Sequence, residues 1–144
     1  MEYVKQVLDK KGREVWTITP QTKVEQALEL MKEKNVGALP VVEDGSIQGI
    51  FSERDFVRSC VGLESVSLDV RVKDLMTKKV TCIGPEQKIE NCMHLMTDKR
   101  MRHLPVLENG TLVGMISIGD AVKAVIADKE FLIDQLEHYI EGSL

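Results

Sequence analysis

One stretch of this chain occurs twice. Residues 20–60, PQTKVEQALELMKEKNVGALPVVEDGSIQGIFSERDFVRSC, align without a gap to residues 85–125, PEQKIENCMHLMTDKRMRHLPVLENGTLVGMISIGDAVKAV. At this constant offset Pro20 falls on Pro85, Pro40 on Pro105, Gly49 on Gly114 and Asp55 on Asp120. Self-similarity at a fixed offset sets the architecture before any other reading. Two copies are too few for a solenoid. They suit a pair of domains packed about a pseudo-two-fold axis, in which any site of one copy has a counterpart in the other.

With its lead-in each copy runs to roughly 60 residues, a size that buries only about 60% of its unfolded surface and is marginal alone. Mutual support of the copies is therefore expected, with one repeat over 1–65, the second over 66–127 and an extension over 128–144. Hydrophobic residues make up 43% of the chain, enough for a core. The net charge is -4 with a pI near 5.4. No basic stripe of the kind nucleic-acid binders carry is present. The longest apolar run, at 112–118, is far short of the roughly 18 residues a membrane span needs. The start, MEYVKQVLDKKG, lacks the apolar core of a secretory signal. These features predict a cytoplasmic protein that engages neither nucleic acid nor membrane. Cys60, Cys82 and Cys92 have no metal spacing and read as small buried thiols in a reducing compartment.

Within a copy, Val24, Ala27, Leu28 and Met31 recur at the spacing of one helical face, and Ile89, Cys92, Met93 and Met96 repeat it. Thr22 and Glu25 suggest a capping box for the first of these helices. The runs LPVV and LPVL, at 39–42 and 104–107, lead into EDGS and ENGT, and Asp-Gly and Asn-Gly are strong hairpin signals. Return strands are expected over 47–52 and 112–117, then helices over 55–61 and 120–127. Short strands at 17–19 and 81–83 precede the first helices. Each copy thus reads β-α-β-β-α, an α+β fold. Phe131, Leu132, Leu136, Tyr139 and Ile140 make the extension an amphipathic helix, suited to packing on its own chain or on a partner subunit.

The chemistry-bearing element is GIFSERD at 49–55 and its twin GMISIGD at 114–120. Each sits where a strand ends and a helix begins. Glycine admits close approach to the backbone, here read as room for a ligand. The hydroxyls of Ser52 and Ser117 can donate to ribose or phosphate oxygens, and the first-turn N–H groups favour an anion. Asp55 and Asp120 can hold the two hydroxyls of a ribose. Ser-x-x-Asp is equally a good helix start, with Ser as cap and Asp favourable to the dipole.

These motifs, with the lead-in VKDLMT at 72–77, resemble paired CBS domains, also called a Bateman module, over nearly the whole chain. GIFSERD, Lys11-Gly12 and the closing Leu136, Tyr139 and Ile140 are similar to a stand-alone branch of bacteria and plant organelles. The resemblance implies two clefts that bind adenosine compounds: AMP, ADP, ATP, NAD(H) or S-adenosylmethionine. It implies Asp55 and Asp120 on ribose and Ser52 and Ser117 near ribose and phosphate. Thr17, Ile18, Leu39, Pro40 and Ile50 would wall the first adenine pocket. Cys82, Ile83, Leu104, Pro105 and Met115 would wall the second. Arg102 and His103 match a basic pair that meets phosphates near the module's centre. Gly37 and Ala38 stand opposite that pair in the first copy, and Arg54 stands opposite Gly119. Arg102 also reads as the end of a solvated charged stretch, His103 as a satisfied half-buried histidine and Arg54 as a surface residue.

A catalytic reading is weaker. Cys92 and His94 point apart on one helix. His94, His103 and His138 form no ligand cluster with carboxylates, and no GxxxxGK phosphate loop occurs. The expectation is a non-catalytic module without a catalytic cofactor. It binds an adenine nucleotide, forms a homodimer and passes ligand occupancy to a protein partner. The alternative is a structural or dimerisation module with vestigial clefts.

Overall fold

The computed structural model describes residues 2–142. Its elements follow the repeat: α1 (Val4–Lys11), α2 (Val24–Lys34), β1 (Ala38–Glu43), β2 (Ser46–Ser52), α3 (Glu53–Cys60), α4 (Ile89–Lys99), β3 (His103–Glu108), β4 (Thr111–Ser117) and α5 (Ile118–Ile140). One turn of 3-10 helix, Val72–Asp74, precedes the second copy.

The helical periodicity holds. Val24, Ala27 and Met31 are buried on α2, and Ile89, Cys92 and Met96 on α4. The expected capping box does not form. Thr22 Oγ1 accepts from the Thr19 N–H at 3.0 Å, within the preceding turn. Lys23 becomes the N-cap, and the Gln26 side chain accepts from its N–H at 3.3 Å. Main chain then takes the place of a side-chain cap. The Val24 N–H donates to the Val70 carbonyl at 2.8 Å and the Glu25 N–H to Leu68 at 3.1 Å. At α4 the Ile89 N–H donates to Glu2 at 3.1 Å. A helix start leaves four N–H groups without intrahelical partners, and the lead-in backbone satisfies some of them.

β1 pairs antiparallel with β2, placing Leu39 opposite Phe51 and Pro40 opposite Ile50. β3 and β4 form the second two-stranded sheet. Both hairpin turns have two successive positive φ angles, 52° and 77° at Asp44 and Gly45, 53° and 78° at Asn109 and Gly110. That is the turn Asp-Gly and Asn-Gly favour. The short strands expected before α2 and α4 shrink to single parallel bridges, Ile18 to Val41 and Ile83 to Val106. Pro20 and Pro85 follow within two residues. A proline has no N–H to give and restrains the residue before it, so the pairing ends there.

The two compact units do not follow chain order. The first-repeat unit holds residues 14–81 and 109–112, and the second-repeat unit holds the chain up to Arg13, 82–108 and from Val113 onward. Val4, Val7 and Leu8 of α1 are buried among Ile83, Ile89, Leu104 and Ile116, in the second-repeat core. Val72 is buried among Ile18, Val24, Leu39 and Phe51, in the first-repeat core. The boundaries 1–65 and 66–127 therefore delimit sequence repeats, while each folded unit is completed by the segment that leads into the other copy. α5 runs unbroken for 23 residues. Ala121 and Ala124 are buried, but in its outer half Phe131 and Leu136 are each 61% exposed and Ile140 is 81% exposed. Residues 1, 143 and 144, at the edges of the expected first repeat and extension, lie outside the described residues.

Candidate functional site

Each unit builds the same corner where its second strand becomes a helix. In the first-repeat unit Ser52 caps α3, its Oγ accepting from the Asp55 N–H at 3.2 Å. Asp55 Oδ2 accepts in return from the Ser52 N–H at 2.9 Å and from its hydroxyl at 3.0 Å. Asp55 Oδ1 accepts from the Thr77 hydroxyl at 3.0 Å. In the second-repeat unit Ser117 Oγ accepts from the Asp120 N–H at 3.1 Å, and Asp120 Oδ2 from the Ser117 N–H at 2.8 Å. Lys11 supplies what Thr77 supplies in the other copy. Its Nζ donates to Asp120 Oδ2 at 2.6 Å and to the Met115 carbonyl at 2.9 Å. Half-burial pushes the Asp120 carboxyl up, but Lys11 and Ser117 outweigh it and hold the group below the usual carboxylate range.

Both serines and both aspartates thus act as reciprocal helix caps. A carboxylate offers about four lone-pair positions, so capping leaves acceptor capacity for a further donor. All four side chains are half-buried, neither sealed off nor fully solvated.

The glycines before these corners have a different role from the one their sequence suggested. A Cβ on Gly49 would lie 2.7 Å from the Thr77 carbonyl oxygen and 2.9 Å from Met76 Sδ. A Cβ on Gly114 would lie 2.7 and 2.8 Å from the two Leu8 methyls. Chain, not ligand, makes the close approach. Around Gly49 it is sealed by a two-bond bridge, Ile50 N–H to the Thr77 carbonyl at 2.9 Å and Thr77 N–H to the Ile50 carbonyl at 2.8 Å.

The expected adenine walls divide by strand face. Leu39 and Leu104 are wholly buried in the two cores, where Ile18 and Ile83 join them at 7% and 5% exposure. Side chains alternate across a strand, so Leu39 and Leu104 face the cores and not the side that the neighbouring prolines occupy. Pro40 and Ile50 are paired across β1 and β2 on the face that Ser52 shares. Thr17 is exposed, Pro105 is buried, and Cys82 and Met115 are half-buried. Burial raises the Cys82 thiol. It pushes the Cys92 thiol up to about 11, far from a nucleophile's range.

Arg54 is exposed on the first turn of α3, and Arg102 is exposed just before β3. The Arg102 carbonyl accepts from the Ile118 N–H at 2.8 Å, as the Gly37 carbonyl accepts from Glu53 at 3.0 Å. His103 opens β3 half-buried, and both it and Arg54 are partnered. A surface hollow of about 430 Å³ opens beside α2, lined by Leu28, Met31, Lys32, Val36, Gly37 and Glu53, and includes none of the expected site residues. Among the described residues no cluster of His, Cys, Asp and Glu could hold a metal, and no helix is long and apolar enough to cross a membrane.

Sequence reasoning missed Lys11 and Thr77 as neighbours of the aspartates. Lys11-Gly12 was legible only as a motif of resemblance. The lead-ins fall outside the gapless repeat, so alignment of the copies does not pair Lys11 with Thr77.

The CBS domain family matches twice, over residues 4–62 and 72–127. A mitochondrial CBS domain-containing protein of Arabidopsis thaliana is 40% identical over 136 residues, 91% of this chain. The match spans 66% of that relative, just under two thirds of its length. The structure of a Burkholderia ambifaria protein with CBS domains is 48% identical, covers 88% of this chain and 96% of its own, and superposes with a TM-score of 0.82. The CBS domain pair of protein MJ0100, solved in complex with 5'-methylthioadenosine and S-adenosyl-L-methionine, shares the fold alone. It is 18% identical, with a TM-score of 0.76 over 90% of this chain and 98% of its own. With two matched domains, two like-built corners and relatives this similar, the chain belongs to the CBS domain family as a tandem pair.

Proposed function

We propose that this chain is a regulatory module that binds an adenosyl ligand, AMP, ATP or NAD(H), at the corners of its two units and catalyses nothing itself. The observation that carries the reading is the repeated strand-to-helix corner, where a half-buried carboxylate caps the helix and still keeps acceptor capacity for a further donor. The crystallised adenosyl complex of a protein with the same fold supports the ligand class. Asp55 and Asp120 take ribose hydroxyls, Ser52 and Ser117 lie near ribose and phosphate, and Arg102 and His103 supply cationic donors to phosphate. Occupancy passes to a protein partner, which requires that ligand bind two states of the module unequally. The exposed outer half of α5 joins two copies in a homodimer.

Calorimetric titration with AMP, ATP, NADH and S-adenosylmethionine tests the reading. Asp55→Ala and Asp120→Ala each remove one binding event. Arg102→Ala weakens AMP and leaves adenosine nearly unchanged. A wild-type protein that binds none of these ligands would instead be a scaffold with vestigial clefts, in which the Ser and Asp pairs serve only as caps.

A further inference from the structure

We propose that Lys11, at the end of α1, is a ligand-selecting residue of the second-repeat corner: it makes that site favour adenosyl ligands bearing an anionic group on the ribose. The proposal rests on the binding function proposed above.

Three cations cluster at the end of α1, and two are engaged on their own segment. Lys10 pairs with Glu2, and Arg13 holds Asp9 at 2.9 Å. Lys11 instead turns to the corner, 2.6 Å from Asp120 Oδ2 and 2.9 Å from the Met115 carbonyl. An ammonium group has three donors. These contacts use two, and the third is left for an oxygen brought by a ligand. The Lys11 side chain is 36% exposed, so it is both held in place and reachable.

The counterpart differs in charge. Thr77 brings a hydroxyl to Asp55, and a hydroxyl cannot offset a carboxylate. A phosphate entering beside Asp55 meets an anion whose lead-in partner is neutral. A phosphate entering beside Asp120 meets an anion already matched by an ammonium ion. Other cations differ between the corners as well: Arg54 stands on α3 where α5 has Gly119, and Arg102 and His103 precede and open β3. Lys11 touches Asp120 directly, at 2.6 Å. Charge-assisted bonds of this kind are worth about twice neutral ones. Because the ammonium already sits on Asp120, little side-chain ordering remains to be done on binding.

The experiment uses the full chain carrying Asp55→Asn, which silences the first-repeat corner, with and without Lys11→Met. Titrants are AMP, which is anionic, and 5'-methylthioadenosine, which carries the same ribosyl adenine uncharged. Lys11→Met is expected to weaken AMP roughly ten- to a hundred-fold and to leave 5'-methylthioadenosine within about two-fold, a ratio set by charge alone. Lys11→Arg restores most of the AMP affinity. Equal losses for both ligands, or an unchanged AMP affinity, would overturn the role of Lys11 while leaving the binding function intact. Failure of the Asp55→Asn chain with Lys11 intact to bind either ligand would overturn the role of Lys11, and failure of the unsubstituted chain to bind either would overturn the binding function as well. A thermal melt of each variant shows whether the fold survives. If Lys11→Met does not fold, Lys11→Gln takes its place in the same comparison.

Discussion

Alanine at Gly114 tests whether chain or ligand occupies the space beside the corner. The added methyl would lie 2.7 and 2.8 Å from the two Leu8 methyls, well inside contact distance. Leu8 is wholly buried among Ile83, Ile89, Leu104 and Ile116. Overpacking of this kind costs about 1–3 kcal/mol, against which Gly→Ala returns about 0.4–1 kcal/mol by restricting the unfolded chain. Gly114→Ala alone is therefore expected to lose about 1–2 kcal/mol. Leu8→Ala alone opens a cavity and loses about 2–5 kcal/mol. The two together should lose less than their sum, because the new methyl occupies space that Leu8 has left. A coupling of about 1–3 kcal/mol is expected between touching residues of this kind. The parallel pair at the other corner behaves differently. Met76→Ala relieves Gly49→Ala only in part, because Thr77, whose carbonyl oxygen would lie 2.7 Å away, is pinned to Ile50 by two backbone hydrogen bonds, one through its carbonyl and one through its N–H. Urea unfolding at constant m-value measures each term. Additive losses for Leu8→Ala and Gly114→Ala would refute the packing argument. A Gly114→Ala protein of full stability and lowered ligand affinity would return the glycine to its ligand-approach role.

Other consequences follow from the same geometry. Asp120 has a lowered carboxyl pKa in the folded protein, so its pairing with Lys11 stabilises the fold above the unfolded value of about 4 and is lost as pH falls through the folded value. The stability gap between wild type and Lys11→Met, about 1 kcal/mol or less for a partly exposed pair, should close on acidification below about pH 4; a gap that widens there would contradict the assignment. Ser117→Ala removes a cap and is expected to cost about 1 kcal/mol, with Ser52→Ala similar. Because Asp55 and Asp120 also accept cap hydrogen bonds, their alanine variants should lose stability as well as ligand affinity, and paired melts and titrations read the two effects apart. Leu136→Glu on the outer half of α5 should convert the proposed dimer to monomer in light scattering, and an unchanged mass would place the interface elsewhere.

Much of this architecture was legible because it rests on local rules. The spacing of Val24, Ala27 and Met31 needs only a helix with one wet face, and Asp44-Gly45 and Asn109-Gly110 need only backbones that tolerate positive φ. Ser52 and Asp55 cap α3 through contacts three residues apart, so the capping half of their reading was available from spacing. Thr22 failed the same test because a nearer N–H, that of Thr19, claimed its hydroxyl.

What the sequence determined by itself is the two-fold repetition, the β-α-β-β-α order and the pair of Ser-x-x-Asp corners, all set by residues close together along the chain. Only the tertiary structure decided which lead-in completes which unit, and with it the partners of Asp55 and Asp120. Val4, Val7 and Leu8 are apolar enough for either core, and nothing local directs them to Ile83 and Ile116 across most of the chain. Burial carries no sequence address: it rewards whatever apolar surface fits. The choice of Lys11 for one carboxylate and Thr77 for the other is therefore a product of packing at a distance.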